Sequence, residues 1–180
     1  MNNTIFLIGY MCSGKSTLGR ALAYRLGCRF IDLDEEIEQR ARLSISDIFR
    51  LHGQDAFRAM ESETLADIIN DGGENMTILA VGGGTPCFGN NMDMMRRAGK
   101  TILLEAPVER LVERLLLGRD KRPLVAGKKP DELVDFVTEA LEARRPFYER
   151  AVFRFDASRL EDETMINQSV DKFIEQILYQ

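Results

Sequence analysis

The chain alternates short apolar runs with longer segments in which apolar residues recur every three or four positions. Short runs predict buried strands, and helical spacing such as that of Leu18, Leu22 and Leu26 predicts helices. The predicted strands are Thr4–Ile8, Phe30–Leu33, Thr77–Val81, Thr101–Leu104 and Phe153–Asp156. Strands that alternate with helices predict an α/β fold with a parallel sheet covered on both faces.

Polar and helix-breaking residues predict several helix boundaries. Ser44 followed by Asp47 resembles an N-cap box with aspartate in place of the usual glutamate. The helix that starts there should stop at Gly53. A further helical pattern covers residues 132–150, and Pro146 must bend or end it because proline has no backbone N–H.

The composition is that of one soluble domain and excludes several classes of function. The chain has 180 residues, of which 44% are hydrophobic, and a formal net charge of −5, which argues against a general nucleic-acid binder. Neither an apolar run of about 20 residues nor a secretory leader is visible, so we expect no membrane partner and a cytoplasmic location. Cys12, Cys28 and Cys87 lack metal-ligand spacing and are interpreted as reduced thiols.

Three polar clusters lie at the carboxyl ends of predicted strands. These clusters are Gly9–Thr17, Asp32–Asp34 and Gly82–Gly84. Parallel sheets bind ligands at the carboxyl ends of their strands. The clusters therefore predict a ligand site at one edge of the sheet.

The first cluster, Gly9–Ser16, fits the phosphate-binding P-loop pattern and lies between a predicted strand and a predicted helix. Glycines let the backbone turn its amides toward a phosphate, and the helix N-terminus adds positive potential. Lys15 can reach the β- and γ-phosphates, and Ser16 can place its hydroxyl on Mg²⁺. The segment therefore predicts an ATP site.

Three further features address the phosphoryl acceptor. Asp32 and Asp34 stand two residues apart and would share a face of an extended chain, although aspartate at this position also often caps the next helix. Arg58 precedes Glu61 by three residues, a spacing that is also typical of a surface salt bridge. Gly82–Gly84 cost backbone entropy on folding, and close approach by a ligand would explain them.

Together these motifs resemble those of the shikimate kinases. The resemblance also includes Arg122-Pro123-Leu124 and the segment from Arg144 to Tyr148, and it extends from about Ile5 to Asp156. It implies a single-domain, three-layer P-loop kinase with a five-stranded parallel sheet and a mobile lid at about 118–130. The implied reaction is transfer of the γ-phosphoryl group of ATP, with Mg²⁺, to the 3-hydroxyl of shikimate by a monomeric enzyme.

The resemblance also implies roles for individual residues. Lys15, Asp34 and Arg122 would be catalytic, with Arg122 in the lid. ATP would be bound by Cys12, Ser13, Gly14, Lys15, Ser16, Thr17, Arg122 and Arg159. Shikimate would be held by Asp34, Arg58, Gly83 and Arg144, in a site shaped by Gly82 and Gly84. Mg²⁺ would be held by Ser16 and, through water, by Asp32.

Two other classes of protein remain as alternatives. A gluconate kinase should show a His-Pro pair soon after the acidic strand end, where this chain has Glu35 and Glu36, and an adenylate kinase usually has glycine in place of Ser16. A non-catalytic ATP-binding module often loses acidic or lid residues, whereas Asp34 and Arg122 are present here. A phosphorylation assay with each acceptor would separate these alternatives.

Overall fold

The computed structural model describes residues 3–72, 75–117 and 129–179. Its strands are β1 (Thr4–Ile8), β2 (Arg29–Asp32), β3 (Thr77–Ala80), β4 (Gly99–Glu105) and β5 (Phe153–Asp156). Its helices are α1 (Lys15–Leu26), α2 (Leu33–Ala41), α3 (Ile45–Asn70), α4 (Asn91–Ala98), α5 (Val108–Leu117), α6 (Pro130–Tyr148) and α7 (Glu163–Phe173). None of the helices in these ranges is long and apolar enough to span a bilayer.

The five strands form one parallel sheet in the order β2-β3-β1-β4-β5. The central strand β1 pairs with β3 on one side and with β4 on the other, so that Ile5 lies between Ile78 and Lys100. The chain crosses β1 when it passes from β3 to β4, and this reversal creates a crevice at the carboxyl ends of β1 and β3. The P-loop and Gly82–Gly84 leave the sheet at these two ends.

Each face of the sheet has its own apolar core because successive side chains of a strand point to opposite faces. Phe6 and Ile8 of β1 pack into a core with α2, α3 and α4. Ile5 and Leu7 pack into a second core with α1 and α7. The predicted three-layer α/β architecture is therefore confirmed.

The boundary between β2 and α2 differs from the sequence prediction. Leu33 was expected to end the strand, but it is the first residue of α2. Asp32 adopts extended backbone geometry, and its side chain accepts a hydrogen bond from the N–H of Asp34, which caps the helix. The prediction that Asp32 and Asp34 share a face of an extended strand is wrong, because Asp34 lies in a helical turn.

Other helix boundaries lie where the sequence has capping residues, glycine or proline. Ser44 caps α3 by accepting from the N–H of Asp47, and Gly53 interrupts that helix with φ 81° and ψ 176°. Pro146 lies in the last turn of α6, which ends at Tyr148. Beyond α7, the last helical turns at Ile174–Leu178 widen to π-helical geometry.

Candidate active site

The P-loop joins β1 to α1 through backbone geometry that favours glycine. A Cβ atom on Gly9 would stand 2.6 Å from the carbonyl oxygen of Leu104. Gly14 has φ 96° at the start of α1, and Cys12 has φ 62° although it is not glycine. The N–H of Ser13 donates to the carbonyl of Tyr10 at 3.1 Å. This turn places the first amides of α1 at the entrance of the crevice.

Lys15 folds back over the loop that carries it. Its Nζ donates to the carbonyl oxygens of Gly9 at 2.9 Å and Tyr10 at 2.8 Å. Burial lowers the pKa of Lys15 to about 8, and the negative charges of Asp34 and Asp32 partly oppose this shift. The positive charge of Lys15 is therefore only partly balanced by its partners, and a phosphate oxygen can stabilise it.

A cavity of about 430 Å³ adjoins the P-loop. It is lined by Cys12, Gly14, Lys15, Ser16, Thr17, Arg114, Leu117, Leu160 and Glu161. Five of the predicted ATP-binding residues therefore line one cavity. Ser13 is not among these lining residues and is buried, with 1% of its surface exposed.

The two predicted metal ligands lie in contact with each other. The hydroxyl of Ser16 donates to Oδ2 of Asp32 at 2.5 Å, while Oδ1 of Asp32 caps α2. A hydroxyl and a carboxylate supply the oxygen ligands that Mg²⁺ prefers, usually together with water and phosphate. The residues present therefore fit a Mg²⁺ ion bound beside the phosphates.

Asp34 has an unsatisfied acceptor at the centre of the crevice. Its Oδ1 is buried and has no hydrogen-bond partner among the described residues. Burial raises the pKa of Asp34 to about 6, and the charges of Asp32 and Glu61 add to the rise while Lys15 opposes it. A buried oxygen without a donor is costly, so a ligand hydroxyl placed here would gain a hydrogen bond.

Protein side chains, rather than a ligand alone, explain the three glycines after β3. A Cβ atom on Gly82 would stand 2.6 Å from Oε1 of Glu61, and one on Gly84 would stand 2.5 Å from Nη2 of Arg58. A Cβ atom on Gly83 would lie 3.2 Å from Nη1 of Arg144. Gly82 and Gly84 therefore make room for Glu61 and Arg58, while Gly83 lies close to both Arg144 and the P-loop backbone.

Arg58 and Glu61 lie one turn apart on α3 and form an ion pair inside the site. The Glu61 side chain is 1% exposed, whereas the Arg58 side chain is 19% exposed. The Arg58 guanidinium also lies 5.3 Å from the ring centre of Phe57. Glu61 has no role predicted from the sequence, because its spacing from Arg58 is visible there but its burial is not.

Arg144 reaches the opposite side of the glycine segment from α6. Its guanidinium lies 5.0 Å from the centre of the Tyr10 ring, a geometry that is typical of a cation–π contact. The hydroxyl of Tyr148 donates to the carbonyl of Gly83 at 2.6 Å. Burial raises the pKa of Tyr148, and its interactions with Arg144 partly oppose the rise, so Tyr148 remains a neutral hydrogen-bond donor. Two tyrosines therefore fix the position of Arg144.

Arg114 of α5 is a site residue that sequence reasoning missed. Its Nη1 donates to the carbonyl of Cys12 at 3.3 Å, and its Nη2 donates to the carbonyl of Ala157 at 3.0 Å. It also pairs with Glu161 at 2.8 Å. Arg114 thereby ties the P-loop to the segment after β5, and no local sequence signal distinguished it from a surface arginine.

One predicted ATP contact lies away from this cavity, and another falls outside the described residues. Arg159 lines a separate pocket with Asp156 and Lys172, although its neighbour Leu160 lines the P-loop cavity. Arg122 and residues 118–128 of the expected lid lie outside the described residues. Both assignments stay predictions.

Comparisons with known proteins agree on one family. The family model described as shikimate kinase matches residues 11–178. A shikimate kinase of Bacteroides thetaiotaomicron is 43% identical over 171 residues, which cover 95% of this chain and 96% of that protein.

Solved structures give the same result. A crystal structure of shikimate kinase from Bacteroides thetaiotaomicron has a TM-score of 0.91 and 41% identity, with 98% of both chains covered. A shikimate kinase from Acinetobacter baumannii, solved in complex with shikimate, has a TM-score of 0.82 and 31% identity. That match covers 98% of this chain and 93% of the other.

Proposed function

Because this chain belongs to the shikimate kinase family, we propose that it transfers the γ-phosphoryl group of ATP to the 3-hydroxyl of shikimate. The product would be shikimate 3-phosphate, in the biosynthesis of aromatic amino acids. Family membership favours this reaction over gluconate phosphorylation and over a non-catalytic ATP-binding module. Mg²⁺ is the proposed cofactor.

The observation that carries the proposal is the position of Asp34 between the two halves of the crevice. Its carboxylate interacts electrostatically with Lys15 on the P-loop side and with Glu61 on the arginine side. One oxygen of Asp34 is buried, and no described residue donates a hydrogen bond to it. A hydroxyl bound at this oxygen would lie between the phosphate-binding and carboxylate-binding groups, which is the arrangement that phosphoryl transfer requires.

On the acceptor side, Arg58 and Arg144 would bind the carboxylate of shikimate. A guanidinium can form two parallel hydrogen bonds with a carboxylate, which fixes the orientation of the ring. Gly84 and Gly83 let Arg58 and Arg144, respectively, approach the backbone closely. Asp34 would then accept a hydrogen bond from the attacking hydroxyl and take its proton as the new P–O bond forms and the bond between the γ-phosphorus and the bridging oxygen breaks, which releases ADP.

On the donor side, Lys15 would exchange its two backbone carbonyl partners for oxygens of the β- and γ-phosphates. A preorganised cation at this position is worth roughly 3–4 kcal/mol of transition-state stabilisation in comparable sites. Bound Mg²⁺ would neutralise charge on the phosphates beside Ser16 and Asp32. Arg122 is proposed to cover the phosphates from the lid, and Arg159 is proposed to approach the adenine.

A coupled ADP-release assay tests the proposal directly. Shikimate, gluconate, AMP and water are offered as acceptors with MgATP, and we expect strong stimulation by shikimate alone. Release in water alone at the same rate would indicate an ATPase. Stimulation by gluconate or AMP, with none by shikimate, would overturn the proposal.

We also expect a monomeric protein that acts in the cytoplasm on a small molecule, without nucleic-acid or membrane partners. The formal net charge of −5 supports the absence of a nucleic-acid partner. Light scattering at micromolar concentration, with and without shikimate, would measure the oligomeric state. A stable dimer would contradict this expectation.

A further inference from the structure

Thr85, the residue that follows the three glycines, binds the buried carboxylate of Glu61. Its hydroxyl donates to Oε1 of Glu61 at 2.5 Å, and both residues are 0% exposed. The other oxygen, Oε2, accepts from Nη1 of Arg58. A buried carboxylate is tolerated when its oxygens are hydrogen-bonded. Thr85 supplies the hydrogen bond to Oε1, the oxygen that Arg58 does not contact.

The backbone around Thr85 fixes the direction of its hydroxyl. Nδ2 of the buried Asn91 donates to the carbonyl of Thr85 at 3.0 Å, and the N–H of Thr85 donates to the carbonyl of Gly82 at 3.1 Å. The next turn is closed by the N–H of Cys87, which donates to the carbonyl of Gly84 at 2.9 Å. Thr85 is therefore held in place from both directions along the chain.

The surroundings of Arg58 show what this arrangement achieves. The guanidinium lies against the backbone of Gly84, where an added Cβ atom would stand 2.8 Å from Cζ. It contacts Glu61 through Nη1 and keeps 19% of its side chain exposed. If both oxygens of Glu61 were available, the pair could close into a planar two-bond geometry, which is the stronger arrangement.

We infer that Thr85 is a positioning residue that occupies one oxygen of Glu61, so that Arg58 keeps an edge of its guanidinium for the carboxylate of the acceptor. This inference rests on the proposed function, which makes Arg58 a ligand of shikimate. Thr85 touches neither reactant in this scheme and acts through Glu61. A hydroxyl that only satisfied a buried carboxylate would affect folding stability without affecting one substrate more than the other.

Two variants separate these roles. Thr85→Val removes the hydroxyl at nearly constant volume, and Thr85→Ser retains it. We expect Thr85→Val to raise the KM for shikimate about tenfold or more, with the KM for ATP within about twofold of the wild type. Thr85→Ser should restore the shikimate KM to within about threefold of the wild type. Thr85→Ala, which introduces no apolar group beside Glu61, replaces the valine variant if that protein does not fold.

A crystal structure of the valine variant gives a readout that needs no substrate. We expect both oxygens of Glu61 to accept hydrogen bonds from Arg58 in this variant. A structure in which Arg58 still contacts only Oε2 would overturn the inference. Equal increases in both KM values, or an unchanged shikimate KM in a folded valine variant, also overturn it. If the wild type fails to phosphorylate shikimate while the two-bond pair still forms, the proposed function is wrong but the control of Arg58 by Thr85 stands.

Discussion

Replacing Asp34 with asparagine should remove a pH-dependent cost that the buried carboxylate imposes on stability, together with most of the activity. Burial raises the pKa of Asp34 from 3.8 to about 6, so the charged carboxylate destabilises the folded state. A shift of about two pKa units corresponds to roughly 3 kcal/mol. Asparagine has nearly the same shape and carries no charge, so the variant should not bear this cost of the buried charge.

The sign and the pH range follow from proton linkage. Between pH 3.8 and about 6 the folded state binds more protons at Asp34 than the unfolded state does, so its contribution to stability falls as pH rises. The charge cost is about 1 kcal/mol at pH 4.5 and reaches about 3 kcal/mol at pH 7.5. For a domain of this size the larger value corresponds to roughly 6–12 °C in melting temperature.

The change in unfolding free energy between the two pH values isolates the effect of the charge on Asp34. An amide at this site brings its own cost, about 1–3 kcal/mol if a donor stays unsatisfied, but that cost is the same at both pH values. Urea unfolding of wild type and Asp34→Asn at pH 4.5 and 7.5 should therefore show a relative gain for the variant of about 2 kcal/mol on going to pH 7.5. Asp55→Asn, at an exposed position of α3, serves as a control that should show no comparable gain.

Activity is measured on the same preparations. Loss of the group that accepts the hydroxyl proton should reduce turnover at least about a hundredfold, with ATP binding intact. A stability difference that is independent of pH would refute the reasoning about the buried charge. Turnover within a few-fold of the wild type would refute the role in catalysis, and Asp34 could not then be explained as the helix cap, because Asp32 has that role.

Three further predictions concern the pH profile, the glycine segment and the P-loop. The kcat/KM for shikimate should rise through about pH 6 as Asp34 loses its proton. It should fall above about pH 8 as Lys15 loses its proton. A pH profile that is flat from about pH 5 to 9 would contradict both assignments. Gly84→Ala should raise the shikimate KM about tenfold or more by displacing Arg58, with the ATP KM as the internal control, and equal effects on both would contradict this reason for the glycine. Cys12→Gly should leave the free energy of unfolding in urea unchanged or raise it by up to about 1 kcal/mol, because glycine tolerates the φ of 62° at this position. A decrease in that free energy of more than about 1 kcal/mol would show that contacts of the thiol outweigh the backbone strain.

Features that depend on neighbouring residues were predictable from the sequence. The P-loop, the strands and the N-cap at Ser44 are local patterns, and the structure has each of them close to its expected position. The rule that parallel sheets bind ligands at the carboxyl ends of their strands also predicts the P-loop and Gly82–Gly84 at one edge of the sheet. The helical break at Gly53 followed from the same kind of local signal.

Features that depend on distant pairs were not predictable. The close approach of Gly84 to Arg58 and the bond from Arg114 to Cys12 join residues from different elements. The sequence pattern predicted that Asp32 and Asp34 share a face of an extended strand. Instead, the side chain of Asp32 accepts a hydrogen bond from the backbone N–H of Asp34 and caps the next helix. No pattern within a short window reports these outcomes, because each requires the packed sheet and helices to exist first.

The mutual fit of Glu61, Arg58, Gly82 and Gly84 limits how this crevice could be changed to accept another substrate. Each side chain fills the space that a glycine leaves, so one replacement forces its neighbour to move. Residues in such contact have non-additive effects, commonly with coupling free energies of about 0.5–3 kcal/mol. Libraries that vary one position at a time would therefore sample mostly impaired proteins. Combinatorial libraries that vary the glycine segment together with the facing turn of α3 would reach variants in which the compensating changes occur at the same time.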